Sequence, residues 1–177
     1  MGGNGNNVYQ GKIHLGMIKR LIILIATPIL ILLPGSALGN PDALIKFIGK
    51  NIAVSLEVAI TAAEKEKGLM NRPSLPNNRG MVFIFRPPRQ VTFWMKDTLI
   101  PLDMIFINKG KIVKIAKNAE PNQTTTLYSS GKEVTEVVEV NGGFSDKYNI
   151  MTGDRVIFKN IPKINTNNQV AMNTKQH

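Results

Sequence analysis

Residues 50–60 read KNIAVSLEVAI, and this stretch decides the fold class. An apolar residue occupies every second position from Ile52 to Ile60, and small or charged residues stand between them. Because successive side chains of a β-strand point to opposite faces of the sheet, this alternation predicts a strand with one buried face. Such a strand is stable only within a larger sheet, so we expect further strands elsewhere in the chain.

The next segments add a helix and a second strand. Thr61 and Glu64 have the spacing of a capping box, in which each side chain accepts a hydrogen bond from the backbone N–H of the other residue. This box predicts a short helix that ends near Leu69. The continuous apolar run Met81–Phe85 then predicts a strand that is buried on both faces.

Later segments supply the remaining strands. Gly110 can adopt the positive φ that a tight turn requires, so a hairpin between residues 104–107 and 111–116 is predicted across Asn108-Lys109-Gly110. Further strands are predicted at 91–95, 133–140 and 155–159, with a turn at Pro87-Pro88 and a long surface loop at 118–132. Because strands and helices do not alternate regularly, the fold class is mainly β: a single compact sandwich or barrel-like domain with one or two short helices.

Residues 17–39 have the three parts of a secretory signal peptide. Lys19 and Arg20 precede an uncharged apolar stretch at 21–33. Its length suits a signal peptide and is shorter than the ~20 residues of a membrane-spanning helix. Ala37 and Gly39 place small residues at the third and first positions before the predicted cleavage site ahead of Asn40. The chain is therefore expected to be exported to the periplasm or the extracellular space.

The alternative is an uncleaved segment that anchors the chain, and contact with a membrane is expected only through that segment. Residues 1–16 form an extension before the signal, and Met17 is an alternative start to Met1. The remaining boundaries are a linker at 40–49, the β domain at 50–160 and a disordered, Asn-, Gln- and Thr-rich tail at 161–177.

Charge and composition exclude several classes of site. The formal net charge of the 177 residues is +10, but three of the basic residues lie before residue 40, where no acid occurs. The other basic residues are scattered without interleaved aromatics, so no nucleic-acid partner is expected. The chain contains no Cys, and His14 and His177 lie outside the predicted domain. No metal site, no cofactor and no His- or Cys-based catalysis is therefore expected.

Four segments form a recognisable set by their order and spacing: GLMNRPSLPNNRGMVFIF (68–85), VTFWMKDTLIPLDMIFIN (91–108), EVVEVNGGF (136–144) and TGDRVIF (152–158). Over about residues 52–158 the chain thereby resembles the DUF192 family, a domain of unknown function in secreted bacterial and archaeal proteins. The resemblance implies a compact, jelly-roll-like β-sandwich that usually follows an export signal or a lipid anchor. It implies no established activity. Family members more often have Asn at the position of Asp97, and a lipobox Cys is absent, which argues against a lipid anchor.

The segment around Trp94 concentrates side chains that bind ligands. Five of them lie within ten positions: Trp94, Lys96, Asp97, Thr98 and Asp103. On a strand, Trp94, Lys96 and Thr98 would share one face. An indole ring beside carboxylates can hold a sugar, because the C–H groups of the sugar stack on the ring while the oxygen atoms bind its hydroxyls. The alternative is structural, with Trp94 at the edge of the core and Asp103 capping its loop.

Three residues elsewhere complete the predicted ligand site: Arg72, Glu139 and Asn141. Glu139 has the opposite parity to its valine neighbours, so it is predicted to face a cleft. It could act with Asp103 as a glycosidase-type acid and base, or form a structural ion pair with Lys96 or Arg72. Arg72 is predicted either to bind a carboxylate or phosphate, or to clamp its loop to Asp103 or Glu139.

Three functions fit these residues. The first is a binding or accessory module of the cell envelope that engages a ligand, such as an envelope glycan, near Trp94. The second is a hydrolase of envelope or extracellular glycans, with Asp103 and Glu139 as catalytic candidates. The third is a structural envelope component without a ligand. The placement of the two acids and the exposure of Trp94 distinguish these alternatives.

Overall fold

The computed structural model describes residues 42–164, which form a mainly β domain. This part of the chain contains nine strands and two short helices. In chain order they are β1 (Ala43–Phe47), β2 (Ala53–Ala59), α1 (Ala62–Lys67), β3 (Arg79–Arg89), β4 (Thr92–Phe93), β5 (Leu102–Asn108), β6 (Lys111–Ala119), β7 (Tyr128–Ser129), β8 (Val134–Asn141), α2 (Phe144–Lys147) and β9 (Val156–Lys159). Within residues 42–164, neither helix has the length and apolar character that crossing a bilayer requires. The predicted signal peptide and its cleavage site lie outside the described residues.

Seven strands form one curled sheet, a half-barrel, in the order β6-β5-β8-β3-β2-β1-β9. Neighbouring strands are antiparallel except β2 and β3, which run parallel because α1 and the loop after it connect them as a crossover. The two edges of the sheet meet at one end, where Lys111 of β6 pairs with Arg155 beside β9. The short strands β4 and β7 form a separate ribbon. The predicted mainly β class is confirmed.

Each face of the sheet carries its own apolar core. All seven strands contribute to the inner core, whose members include Ile45, Val54, Val82, Ile105, Ile112, Val138 and Val156. The outer core lies on the opposite face of β3, β5 and β8, and its members include Phe83, Phe85, Met104, Phe106 and Val137. Leu69 and Leu75 from the loop after α1, and Phe93 of β4, pack against this outer core. The predicted burial of Met81–Phe85 on both faces is confirmed.

The local signals at α1 and at the β5–β6 hairpin are confirmed. Glu64 N donates to Thr61 Oγ1 (3.2 Å), and Thr61 N donates to Glu64 Oε2 (2.9 Å). The hairpin turns at Lys109 and Gly110, whose φ values are 48° and 75°. Two successive residues with positive φ give the backbone twist that matches the flanking strands.

Thr61→Ala is expected to lower the free energy of unfolding by about 1 kcal/mol, because the first turn of α1 loses a side-chain acceptor. Thr61→Ser keeps the hydroxyl and is the matched control. Urea unfolding followed by circular dichroism measures both variants. Equal stability of the two would contradict the capping role.

Two predicted boundaries are wrong, because the flanking segments complete the inner core. Residues 43–47, assigned to a linker, form β1, in which Ala43, Ile45 and Phe47 are buried. Strand β1 pairs with both β2 and β9 and so lies within the sheet. Residues 161–164, assigned to the disordered tail, include Ile161 and Ile164, which pack against the inner core. The rest of that predicted tail lies outside the described residues.

The predicted turn at Pro87-Pro88 is also wrong, because β3 continues to Arg89. The pairing of β3 with β8 is irregular between Ile84 and Arg89, so the prolines, which lack an N–H, interrupt no regular ladder there. The strand predicted at 91–95 is only Thr92–Phe93. Its partner, β7, lies within the predicted surface loop.

Candidate functional site

Asp103, on β5, is a structural carboxylate. Its side chain is fully buried. Asn118 N (2.8 Å) and Gly143 N (3.1 Å) donate to Oδ1, and Ser145 N (2.7 Å) donates to Oδ2. The side chain thus joins the end of β6 to the start of α2. Because it is buried and held by these donors, Asp103 is not available to a ligand.

Glu139 and Asp103 do not form the predicted acid and base pair. In the pairing of β5 with β8, Asp103 lies opposite Val140, and Met104 lies opposite Glu139. Neighbouring positions of a strand point to opposite faces, so the two carboxyl groups lie on opposite faces of the sheet. A glycosidase pair must flank one bond of the substrate. The structure therefore contradicts a catalytic pair of Asp103 and Glu139.

Glu139 is a buried carboxyl in apolar surroundings. It is 4% exposed and lies on the outer face of β8, between Met81 of β3 and Met104 of β5. Burial raises the pKa of Glu139 to about 8, and no ion pair with a described residue offsets this effect. The carboxyl is therefore mainly protonated in the folded protein at neutral pH. The predicted ion pair with Lys96 or Arg72 does not occur within residues 42–164.

Arg72 and Asn141 hold the loop that follows α1. Arg72 forms a bidentate ion pair with Glu57, with Nη1–Oε1 and Nη2–Oε2 distances of 2.5 and 2.7 Å. The hydrogen bond from Arg72 lowers the pKa of Glu57. Asn141 Nδ2 donates to Leu75 O at 2.9 Å. Arg72 thus acts as a clamp, but its partner is Glu57 rather than either of the predicted acids.

A groove of about 550 Å³ lies beside this ion pair, and its lining includes Asp42, Glu57, Arg72, Leu75, Arg79 and Pro162. Both arginines have acidic partners: Arg72 binds Glu57, and Arg79 Nη1 lies 2.5 Å from Asp42 Oδ2. The positive charges of this groove are therefore compensated within the domain.

Asp97 and Thr98 shape the turn after Trp94. Thr98 N donates to Met95 O (3.2 Å), and Asp97, the third residue of this turn, has a φ of 53°. Asn and Asp tolerate this left-handed backbone better than other residues with a side chain. Thr98 is buried, and its hydroxyl donates to Lys96 O (3.2 Å). Thr98 therefore does not share an exposed face with Trp94 and Lys96, contrary to the prediction from a continuous strand.

Trp94 and Lys96 lie together at the surface. Trp94 is 44% exposed, and Lys96 Nζ lies 5.4 Å from the centroid of its ring. A cation at this distance interacts with the π face of an indole. Trp94 therefore does not fill the edge of the core, and part of its ring is open to a ligand.

A second groove, of about 370 Å³, runs between Trp94 and α1, and we call it the Trp94 groove. Its lining includes Lys65, Glu66, Phe85, Arg89, Phe93 and Trp94. Lys65 Nζ and Arg89 Cζ lie 4.9 and 5.2 Å from the centroid of the Phe85 ring. A pocket of about 230 Å³ shares Lys65, Phe85 and Arg89 with this groove. The structure thus adds the cations Lys65 and Arg89 and the ring of Phe85 to the predicted Trp94, whereas Lys96 contacts the Trp94 ring but does not line the groove.

Lys65 and Arg89 are close enough to influence each other. Burial, and secondarily the charge of Arg89, lower the pKa of Lys65 to about 8 against an opposing contribution from Glu64. None of the five ion pairs between described residues includes Lys65 or Arg89. The Trp94 groove therefore carries positive charge that no ion pair of the described domain neutralises.

Lys65, Phe85 and Arg89 were not among the residues predicted from the sequence. The capping box places Lys65 in α1, which is a usable signal, but no local pattern places that helix beside Phe85. Arg89 follows two prolines that indicate a turn rather than a strand. The crossover from β2 to β3 brings these residues together.

The Trp94 groove combines an exposed indole ring with two cations. Aromatic faces can stack on the C–H groups of sugars, and cationic side chains can bind anions. Among residues 42–164, no group of three or more His, Cys, Asp or Glu side chains is placed to hold a metal ion.

Comparison with known proteins agrees with the segments identified in the sequence. The family model of DUF192, described as "Uncharacterized ACR", matches residues 44–158. No curated protein matches the chain. A solved structure from Sinorhizobium meliloti 1021, described as a candidate transcription regulator, is 32% identical and covers 69% of this chain and 97% of its own, with a TM-score of 0.65. A protein of unknown function from Novosphingobium aromaticivorans DSM 12444 is 36% identical and covers 66% of this chain and 83% of its own, with a TM-score of 0.61. Since the family model spans most of the chain, the protein belongs to the DUF192 family.

Proposed function

We propose that the domain is a ligand-binding module and that a sugar-containing ligand occupies the Trp94 groove. The observation that carries the proposal is the exposed indole ring of Trp94 in a groove that also contains Lys65 and Arg89. The face of an indole stacks on the C–H groups of a sugar ring, and polar groups beside it bind the hydroxyls. The groove volume of about 370 Å³ suits a small ligand or a few units of a polymer.

We further propose that the protein is exported and acts as a binding or accessory module of the cell envelope. The support is the charged, apolar and small-residue order of residues 17–39, which is typical of a signal peptide. If the segment stayed uncleaved, it would tether the same domain to the membrane. A terminal sequence that begins at Asn40 in exported protein is the expected result of cleavage.

The two alternative functions have less support. A carboxylate-based hydrolase lacks its expected pair, because Asp103 and Glu139 lie on opposite faces of the sheet. A purely structural component predicts a shallow surface at Trp94 and acids held in ion pairs. Trp94 lines a groove instead, and neither acid has an ionic partner within residues 42–164.

Titration of the protein with short saccharides tests the proposal. Trp94 is the only Trp in the chain, so its fluorescence reports directly on the groove. Cellotetraose, chitotetraose and tetragalacturonate are the probes, and at least one is expected to shift the emission without being cleaved. By calorimetry, Trp94→Ala should weaken binding of that saccharide by about 2 kcal/mol, roughly thirtyfold, because an aromatic anchor of a binding site contributes about this much.

Ile48→Ala is the matched control. It removes an apolar side chain that is 50% exposed and lines a pocket other than the Trp94 groove, so the affinity should not change. The proposal would be rejected if no saccharide bound, or if Trp94→Ala bound as tightly as the wild type.

Because the similar Sinorhizobium protein is described as a candidate transcription regulator, a DNA duplex of about 20 base pairs is also titrated. Binding of the duplex without binding of any saccharide would replace the proposed function with DNA binding.

A further inference from the structure

We propose that Lys65 and Arg89 form an anion subsite of the Trp94 groove, which receives a carboxylate, sulfate or phosphate group of the ligand. This inference rests on the proposed binding of a sugar-containing ligand, and it adds that the ligand is acidic.

The geometry of the subsite comes from two elements. Lys65 projects from α1, and Arg89 ends β3, yet both cationic groups lie about 5 Å from the centre of the same Phe85 ring. Phe85 is 5% exposed and belongs to the outer core, so it is a fixed platform for both. A guanidinium offers two parallel donors to an oxyanion, and an ammonium adds a compact charge beside it. Both cations line the groove that contains Trp94, so one acidic sugar could contact all three side chains.

None of the acids near Lys65 and Arg89 forms an ion pair with them in the described part of the chain. Glu64 Oε2 accepts hydrogen bonds from Ile60 N (2.8 Å) and Thr61 N (2.9 Å), which commits it to the helix cap. Glu136 binds Arg86. Glu66 lines the groove but forms no ion pair with any described residue. Two like charges that face one cavity repel each other, so an entering anion lowers the free energy of both.

The groove beside Arg72 and the Trp94 groove differ in whether their cations form ion pairs. The groove beside Arg72 contains two arginines with their own acidic partners. The Trp94 groove contains two cations, the carboxylate of Glu66 and an exposed aromatic ring, and neither cation forms an ion pair with a described residue. An acidic ligand therefore gains more electrostatic free energy in the Trp94 groove, where it displaces no internal partner.

The test compares tetragalacturonate with its fully methyl-esterified form, which has the same sugar rings without the charges. The wild type is expected to bind the acid at least about tenfold more tightly than the ester, as expected for charge-assisted hydrogen bonds. The double variant Lys65→Gln/Arg89→Gln should bind both forms with the affinity that the wild type has for the ester. Lys65→Arg keeps the charge and should keep the preference.

Lys67→Gln is the matched control. Lys67 is an exposed lysine of the same helix that does not line the groove, so its removal should leave the preference for the acid unchanged. Galactose 6-sulfate and galactose 6-phosphate, tested as competitors, identify which anion is preferred. Circular dichroism and melting temperature without ligand establish that each variant is folded.

The outcomes separate the two proposals. If the wild type binds acid and ester equally, or if the double variant keeps the preference, the anion subsite is rejected while sugar binding stands. If no saccharide binds but inorganic phosphate raises the melting temperature of the wild type and not of the double variant, sugar binding is rejected and the anion subsite stands. If neither saccharide nor phosphate binds, both are rejected.

Discussion

Replacement of Asp103 with Ala is expected to lower the free energy of unfolding by about 4 kcal/mol, because three backbone donors lose their acceptor. Those donors belong to Asn118 of β6 and to Gly143 and Ser145 at the start of α2, which are 15, 40 and 42 positions from Asp103 in the chain. Because Asp103 is fully buried, its removal leaves these three N–H groups shielded from bulk water. Urea unfolding, with the denaturant slope compared between variants, measures the loss.

Two further variants make this result specific. Asp103→Asn keeps one side-chain oxygen as an acceptor and is expected to lose about 2 kcal/mol, which provides a measurement if the Ala variant does not fold. Asp146→Asn removes an exposed carboxylate that binds only Lys117 at the surface, and it should cost less than about 0.5 kcal/mol. If Asp103→Ala lost no more stability than Asp146→Asn, Asp103 would not be the structural link between β6 and α2.

Replacement of Glu139 with Gln is expected to stabilise the protein at pH 7 by about 3 kcal/mol, because Gln has a similar size and cannot ionise. The pKa of Glu139 is about 8 in the folded protein, where burial disfavours the charged form, and 4.5 is its ordinary value. At pH 7 the carboxyl thus loses its proton mainly when the chain unfolds. Each unit of difference between the two pKa values contributes about 1.4 kcal/mol in favour of unfolding.

The sign of the pH dependence follows from the raised pKa. Below pH 4.5, Glu139 is protonated in both the folded and the unfolded chain, so it costs no stability. As the pH rises towards 8, the unfolded chain ionises first, and the free energy of unfolding of the wild type falls. The advantage of Glu139→Gln should therefore be near zero at pH 4.5 and largest above pH 8. Glu57, whose pKa is lowered, has the opposite trend in both proteins and cancels in the difference.

Urea unfolding of both proteins between pH 4 and pH 9 provides the measurement. Glu120→Gln, at an exposed carboxyl, is the control and should change the free energy of unfolding by less than about 0.5 kcal/mol. A difference between Glu139→Gln and the wild type that stayed constant with pH would show that Glu139 is not buried as a neutral acid.

Several parts of the fold could be predicted because they depend on neighbouring residues. The alternation in β2, the capping box of α1 and the positive φ at Lys109 and Gly110 each involve only a few consecutive positions. Strand β1 was not predicted, because its burial depends on pairing with β9 at the far end of the domain. The prolines in β3 were misread for a related reason: the irregular pairing with β8 that tolerates them is not visible in the chain itself.

In the candidate site, too, neighbouring residues could be predicted and residues brought together by the fold could not. Trp94 and Lys96 are close in the chain, and their joint exposure agrees with their spacing. The expected pair of Asp103 and Glu139 was wrong, because a shift of one position in the register of β5 against β8 decides which face each carboxyl occupies. Lys65 and Arg89 come together only through the crossover that places α1 beside β3.

The mainly β class, the start of α1, the hairpin turn and the family all follow from the order of residues along the chain, since backbone preferences and short motifs are local properties. The partners of each charged side chain follow from strand register and from the β2–β3 crossover. These two features bury Asp103 as a link between segments and bury Glu139 as a neutral acid. They also bring Lys65 and Arg89 into the Trp94 groove. Long-range pairing brings distant residues into contact, and no pattern within a few positions of the chain carries that information.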